Sequence, residues 1–126
     1  MKIFNNEDIK NMEKRFRVNF INSLSGFKSL NLAGTLSLEN KTNLAPISSV
    51  IHFGAQPPLM GMLIRPNTVP RHTLENIIST GVWTLNHVTE DIFERAHQCS
   101  ARYDRDTSEF KASGLRQLYT IQSPLC

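Results

Sequence analysis

The sequence predicts a β-rich α+β protein built on an antiparallel barrel or sandwich. Segments with strand character follow one another through short turns between residues 30 and 65, which is the order that makes hairpins. Helical patterns fall before residue 17 and after residue 72. Strands and helices therefore do not alternate as a doubly wound sheet requires.

Each element has its own reason. Residues 6 to 16, "NEDIKNMEKRF", form an amphipathic helix. Asn6 can cap it, Glu7 and Asp8 suit its positive end, and Ile9, Met12 and Phe16 recur at helical spacing. Leu30, Leu32, Leu36 and Leu38 then alternate with Asn31, Ala33, Thr35 and Ser37, the period of a half-buried strand. "ENK" at 39 to 41 reads as a hairpin turn and "ISSVIHF" as another strand. "GAQPP" at 54 to 58 reads as a loop, because Pro57 and Pro58 cannot donate to a sheet ladder. "LMGMLIR" at 59 to 65 is apolar on both faces, which predicts a strand buried on both sides. "TLENIIST" is a short helix with Leu74, Ile77 and Ile78 on one face and Gly81 at its end. "VWTLNHV" at 82 to 88 is a strand. A longer helix at about 90 to 103 carries Ile92, Phe93, Ala96, Cys99 and Tyr103 as its apolar stripe. The remainder is polar and loop-like, with one strand at "QLYTI".

The bulk numbers agree with a soluble globular chain. The 126 residues suit one domain, with 40% hydrophobic and 20% charged residues. No apolar run approaches the ~20 residues of a membrane helix, and "MKIFNNEDIK" has no apolar h-region. The expectation is a cytoplasmic protein. The net charge of +3 is spread along the chain, and its dense basic cluster, "KRFR", reads as a solvated helix end before it reads as a nucleic-acid contact. Two cysteines make no disulfide framework, and Cys99 reads as a small buried hydrophobe.

Two stretches can carry chemistry. "TVPRHTLENI", residues 68 to 77, places Arg71, His72 and Thr73 at a helix start. A helix start has free backbone N–H groups and partial positive charge, so a cation and a hydroxyl beside it make an anion site. Taken alone, a capped helix explains the pattern as well, with Thr73 as N-cap. "TNLAPISS", residues 42 to 49, offers the Asn43 amide, a close backbone approach at Ala45 and Pro46, and the Ser48 and Ser49 hydroxyls. Other arrangements are absent from the pattern. There is no G-x-G-x-x-G fingerprint and nothing groups a catalytic triad. His87 reads as an ordinary strand histidine. His97 and Cys99, two apart on a helix, point to different sides and predict no metal site.

The series "NFINSLSGFKSLNLAGT", "NKTNLAPISSV", "PPLMGMLIRP", "VPRHTLENI", "TGVWTLNHV" and "SEFKASGL" resembles the flavin reductase-like family, the FMN-binding split barrels. The resemblance runs over residues 17 to 115, behind the 6–16 helix and ahead of a divergent end at 116–126, within one domain of 1–126. It implies an antiparallel Greek-key split barrel, shortened at its C-terminus relative to the family, that binds FMN as a homodimer near the subunit interface. It also implies that Asn43, Ala45, Pro46, Ile47, Ser48 and Ser49 line the flavin and its phosphate tail. Arg71, His72 and Thr73 would close on the phosphate, with Asn76 and Asn86 near the site. Arg65 is added because it ends a strand near the proposed phosphate, although it could equally be a surface charge. The implied activity is transfer of electrons from NADH or NADPH through FMN to a small-molecule acceptor. The nicotinamide would stack on the flavin, and no catalytic side chain is needed, because the flavin carries the hydride chemistry. A flavoredoxin-like electron carrier or flavin store, or an inactive truncated member acting as an interaction domain, would share the same motifs.

Overall fold

The computed structural model describes residues 2–66 and 69–119. The predicted N-terminal helix is two helices, α1 (Asn6–Asn11) and α2 (Lys14–Ser23). Asn5, not Asn6, caps α1 in a reciprocal capping box. The Asp8 N–H donates to Asn5 Oδ1 at 2.9 Å, and the Asn5 N–H donates to Asp8 Oδ2 at 2.8 Å. The chain turns extended at Met12, and the Glu13 carboxylate then accepts from the Arg15 and Phe16 N–H groups, which starts α2. The "KRFR" cluster is the first turn of α2, and Arg17 donates to the Lys10 carbonyl at 2.8 Å across the break.

Five strands follow among the described residues. β1 (Asn31–Leu36), β2 (Thr42–Ile47) and β5 (Thr84–His87) form one antiparallel sheet in the order β2-β1-β5. β3 (Val50–Ala55) and β4 (Pro58–Met62) form a separate antiparallel ribbon. The β1–β2 turn is held by Ser37, whose Oγ accepts from the Glu39 and Lys41 N–H groups, with Asn40 at φ 60. Four expectations need correction. β1 is buried on both faces, not half-buried, because the helix His72–Thr80 packs on it and its Leu32 joins the core cluster with Ala96, Cys99 and Phe110. Asn31, Thr35 and Ser37 are buried, while Leu38 is 71% exposed. "ISSVIHF" is interrupted at Ser48 and Ser49, so Ile47 ends β2 and Val50 begins β3. Gly54 and Ala55 belong to β3, and Pro58 takes the first position of β4, where a missing donor is tolerated. "LMGMLIR" is not covered on both sides. Leu59, Met60 and Leu63 are exposed, as are Ile51 and Phe53 on the partner strand.

The helices close over the sheet. α3 (His72–Thr80) packs on β1, and α4 (Phe93–Gln98) and α5 (Glu109–Ser113) pack together, with α5 on β2. The core cluster is Leu32, Leu44, Ala96, Cys99 and Phe110, with Val88 and Leu115 against it. α3 presents a buried Asn76 to the sheet, where its Nδ2 donates to Thr35 Oγ1 at 3.1 Å. Ile78, expected on the apolar face, is 75% exposed. The predicted 90–103 helix is shorter: a 3-10 turn at Glu90–Ile92 leads into α4, and Cys99 ends it. Its Ala96 and Cys99 are buried as expected, but Phe93 is exposed. α5 was not expected from its polar sequence. Gln117 to Tyr119 lie outside any strand, and the rest of "QLYTI" lies outside the described residues. Among the described residues, no helix is long and apolar enough to cross a membrane.

Gly81 ends α3 at φ 71, with nothing among the described residues within 4 Å of an added Cβ. Gly81→Ala is therefore a pure backbone test. It is expected to cost about 1 kcal/mol in denaturant unfolding, and Gly81→Asn less, because asparagine tolerates the left-handed region better.

Candidate functional site

β2, the segment leading into α3, and the loop between α4 and α5 enclose a groove of about 630 Å³. One wall is Asn43 to Ile47. The opposite wall is Val69 to Leu74, and Ser100 to Arg105 continue the rim, with Ile64, Cys99 and Glu109 completing the lining. Of the residues singled out by sequence, Asn43, Ala45, Pro46, Ile47, Arg71, His72 and Thr73 meet here. They come together because β2 pairs with β1 and α3 packs on β1, which bridges a separation of some 30 residues.

The other five lie outside the groove lining. Ser48 is exposed, and Ser49 Oγ donates to the Leu63 carbonyl at 2.7 Å, tying β3 to the end of β4. Arg65 donates to Asn22 Oδ1 at 3.1 Å on the surface. Asn86 is exposed on β5, opposite Leu32 of β1. Asn76 is buried behind the groove against Thr35, and lines a neighbouring polar cavity of about 10 Å³, room for one water.

The α3 start differs from the expected cap. Arg71, at the N-cap position, makes no side-chain cap, and Thr73 is inside the first turn. Its hydroxyl lies 2.8 Å from the Asn43 amide. Arg71 Nε is buried and has no hydrogen-bond partner among the described residues. A buried guanidinium N–H without a partner is costly. Together with the uncapped helix start, it makes this end of the groove suited to an anion. The donor set fits a phosphate group, and the small residues of β2 leave room for a flat ring beside it.

Sequence reasoning missed Glu109, Arg102, Tyr103 and Arg105. Arg105 pairs with Glu75 at 2.5 Å on the rim. Glu109 is 8% exposed, and its Oε2 accepts from the Leu44 N–H at 3.2 Å. Burial is the largest influence on this carboxyl and raises it above its ordinary value, opposed by backbone N–H groups and by His72. The "SEFKASGL" motif that contains Glu109 was the available signal. Burial likewise raises the Cys99 thiol, which leaves it a neutral core group. Among the described residues, no cluster of His, Cys, Asp and Glu could hold a metal ion.

Antiparallel strands with flanking helices and a groove between β2 and α3 are the architecture of a split barrel. The model of the flavin reductase like domain matches residues 29–125, and the chain belongs to that family. A crystal structure assigned as a flavin reductase with a split barrel domain, from Shewanella frigidimarina, superposes with a TM-score of 0.93 at 56% identity, covering 99% of this chain. The 2-nitrobenzoate 2-nitroreductase of Pseudomonas fluorescens superposes at 0.76 with 25% identity over 92% of this chain. Nitrilotriacetate monooxygenase component B of Bacillus cereus shares the fold at 0.79 with 17% identity over 95%. The chain spans 62%, 55% and 58% of those three chains, respectively.

Proposed function

We propose that the protein binds FMN in the groove and acts as a flavin reductase-type oxidoreductase, passing electrons from NADH or NADPH through the flavin to a small-molecule acceptor. The observation that carries this reading is the meeting of Asn43, Ala45, Pro46 and Ile47 with Arg71, His72 and Thr73 along one groove, with Arg71 Nε buried and without a partner among the described residues. When bound, the flavin supplies hydride transfer through its own ring. The chain binds and orients it. Arg71, the Thr73 hydroxyl and the α3 start receive the phosphate, Ala45 and Pro46 let the backbone lie close to the ring, and Ile47 and Ile64 keep water from one side. Membership of the family supports the class of reaction, and the exposed Ile51, Phe53, Leu59 and Met60 support a homodimer. We place it in the cytoplasm.

Mixing the purified protein with FMN tests this. Bound flavin absorbs near ~450 nm and should be released on denaturation. Addition of NADH and of NADPH should then bleach it with at least one of them. A yellow protein bleached by neither would be an electron carrier or flavin store. A protein that takes up no FMN would overturn the reading.

A further inference from the structure

Asn43 sits between Thr73 and Glu109, and its amide has two orientations on the same atomic positions. In one, Nδ2 donates to Thr73 Oγ1 at 2.8 Å, but Oδ1 then faces the Glu109 carboxylate, acceptor against acceptor, and Nδ2 faces the Leu44 N–H, so an ionised Glu109 disfavours this orientation. In the other, Oδ1 accepts from the Thr73 hydroxyl at 2.8 Å and from the Leu44 N–H at 3.2 Å, and Nδ2 donates to Glu109 Oε1 at 3.3 Å. The state of Glu109 decides between them. An ionised carboxylate only accepts, so it demands the second orientation. The Thr73 proton is then spent on Asn43, and Thr73 presents lone pairs to the groove. A protonated Glu109 can donate to Asn43 Oδ1 and hold the first orientation, while its other oxygen still accepts from the Leu44 N–H. Nδ2 then donates to Thr73, and the Thr73 proton is free for a ligand oxygen.

We propose that Glu109 is a positioning residue: through the Asn43 amide it sets whether the Thr73 hydroxyl accepts or donates toward the groove, so that binding of the FMN phosphate is accompanied by uptake of a proton by Glu109. The inference rests on the proposed FMN site. The proton comes from bulk water and forms an O–H bond on the carboxylate. Two features besides the geometry favour it. Burial already raises this carboxyl above its ordinary value, and a phosphate nearby adds like charge that raises it further. His72 of α3 opposes both, and Cys99 at the end of α4 faces Glu109 as a neutral thiol. Lys41, Asp104 and Arg105 stand around the adjoining small cavity.

Affinities for FMN and for riboflavin are measured from about pH 5 to about pH 9, with proton uptake counted by calorimetry in buffers of different ionisation enthalpy. Wild-type affinity for FMN is expected to fall about ten-fold as pH rises, the value of one charge-assisted hydrogen bond. Glu109→Gln reproduces the donor and acceptor of the protonated acid at the same size. It should bind FMN at high pH as tightly as the wild type does at low pH, with the Glu109 proton missing from the uptake. The phosphate's own second ionisation is common to both proteins, so the difference between them belongs to Glu109. Thr73→Val, which keeps Glu109, should abolish the same uptake, and riboflavin should show none. Equal pH slopes for wild type and Glu109→Gln, or undiminished uptake in Thr73→Val, overturn the inference while leaving the FMN site standing. A wild type that binds FMN at no pH overturns the site and the inference together.

Discussion

Arg71→Ala combined with Thr73→Val is expected to weaken FMN binding by about a hundred-fold or more, and to leave riboflavin binding nearly unchanged. Each substitution removes a donor to a phosphate oxygen, and a hydrogen bond to a charged group is worth about 1.5–3 kcal/mol. With about 1.4 kcal/mol per ten-fold, two such losses give the stated factor. Riboflavin has no phosphate, so it reports on the ring-binding part of the groove alone. The ligand-free protein should tolerate the first change well. Arg71 Nε is buried without a partner among the described residues, so removing the guanidinium relieves a desolvation cost. Thr73→Val keeps the side-chain shape and deletes the hydroxyl facing Asn43. Titration by flavin fluorescence checks the result. Equal losses for FMN and riboflavin would mean that these residues shape the fold or the ring pocket and do not clasp a phosphate.

The largest effect on stability is expected from Leu32→Ala, at about 2–5 kcal/mol. Leu32 is buried in the central strand, between Pro46 of β2 and Asn86 of β5, and packs with Leu44, Ala96, Cys99 and Phe110. Hydrogen-bonded neighbours on both sides hold β1 in place, so the sheet cannot collapse into the space left by the lost side chain. That cost is a large part of the ~5–15 kcal/mol that keeps a typical domain folded. Ile78→Ala is the control: it is apolar and helical but exposed on α3, and should change stability by no more than about 0.5 kcal/mol. Urea unfolding of both variants decides the matter. A loss below about 1 kcal/mol for Leu32→Ala would place the core elsewhere.

The legible parts of the chain were those governed by local chemistry. The strand character of 31–36, the turn at Asn40, the left-handed Gly81 that ends α3 and the burial of Cys99 all follow from short-range patterns. The ordered motif series also pointed to the family that the chain belongs to. Periodicity misled where a second layer changed what a polar residue meets. Asn31 and Thr35 read as the polar side of a half-buried strand, yet both are buried, because α3 covers β1 and its Asn76 meets Thr35 in a polar contact. It misled in the opposite sense at Leu59, Met60 and Leu63, whose apolar run predicted burial on both sides. Hydrophobicity states a preference for cover, and the β3–β4 ribbon leaves these residues half or more exposed among the described part of the chain.

The candidate site divides along the same line. The sequence by itself determined its ingredients: an amide and small residues on a strand, and a cation and a hydroxyl at a helix start, each readable from residue type and spacing. Only the tertiary structure decided which of them meet. Antiparallel pairing of β2 with β1 and the packing of α3 on β1 bring Asn43 within 2.8 Å of Thr73. The same pairing leaves Ser48, Ser49, Arg65, Asn76 and Asn86 off the groove lining. Glu109 reaches β2 from 65 positions away, through a short polar helix with no periodic signal of its own. A contact across that distance depends on how layers stack, and no local pattern in the sequence records it.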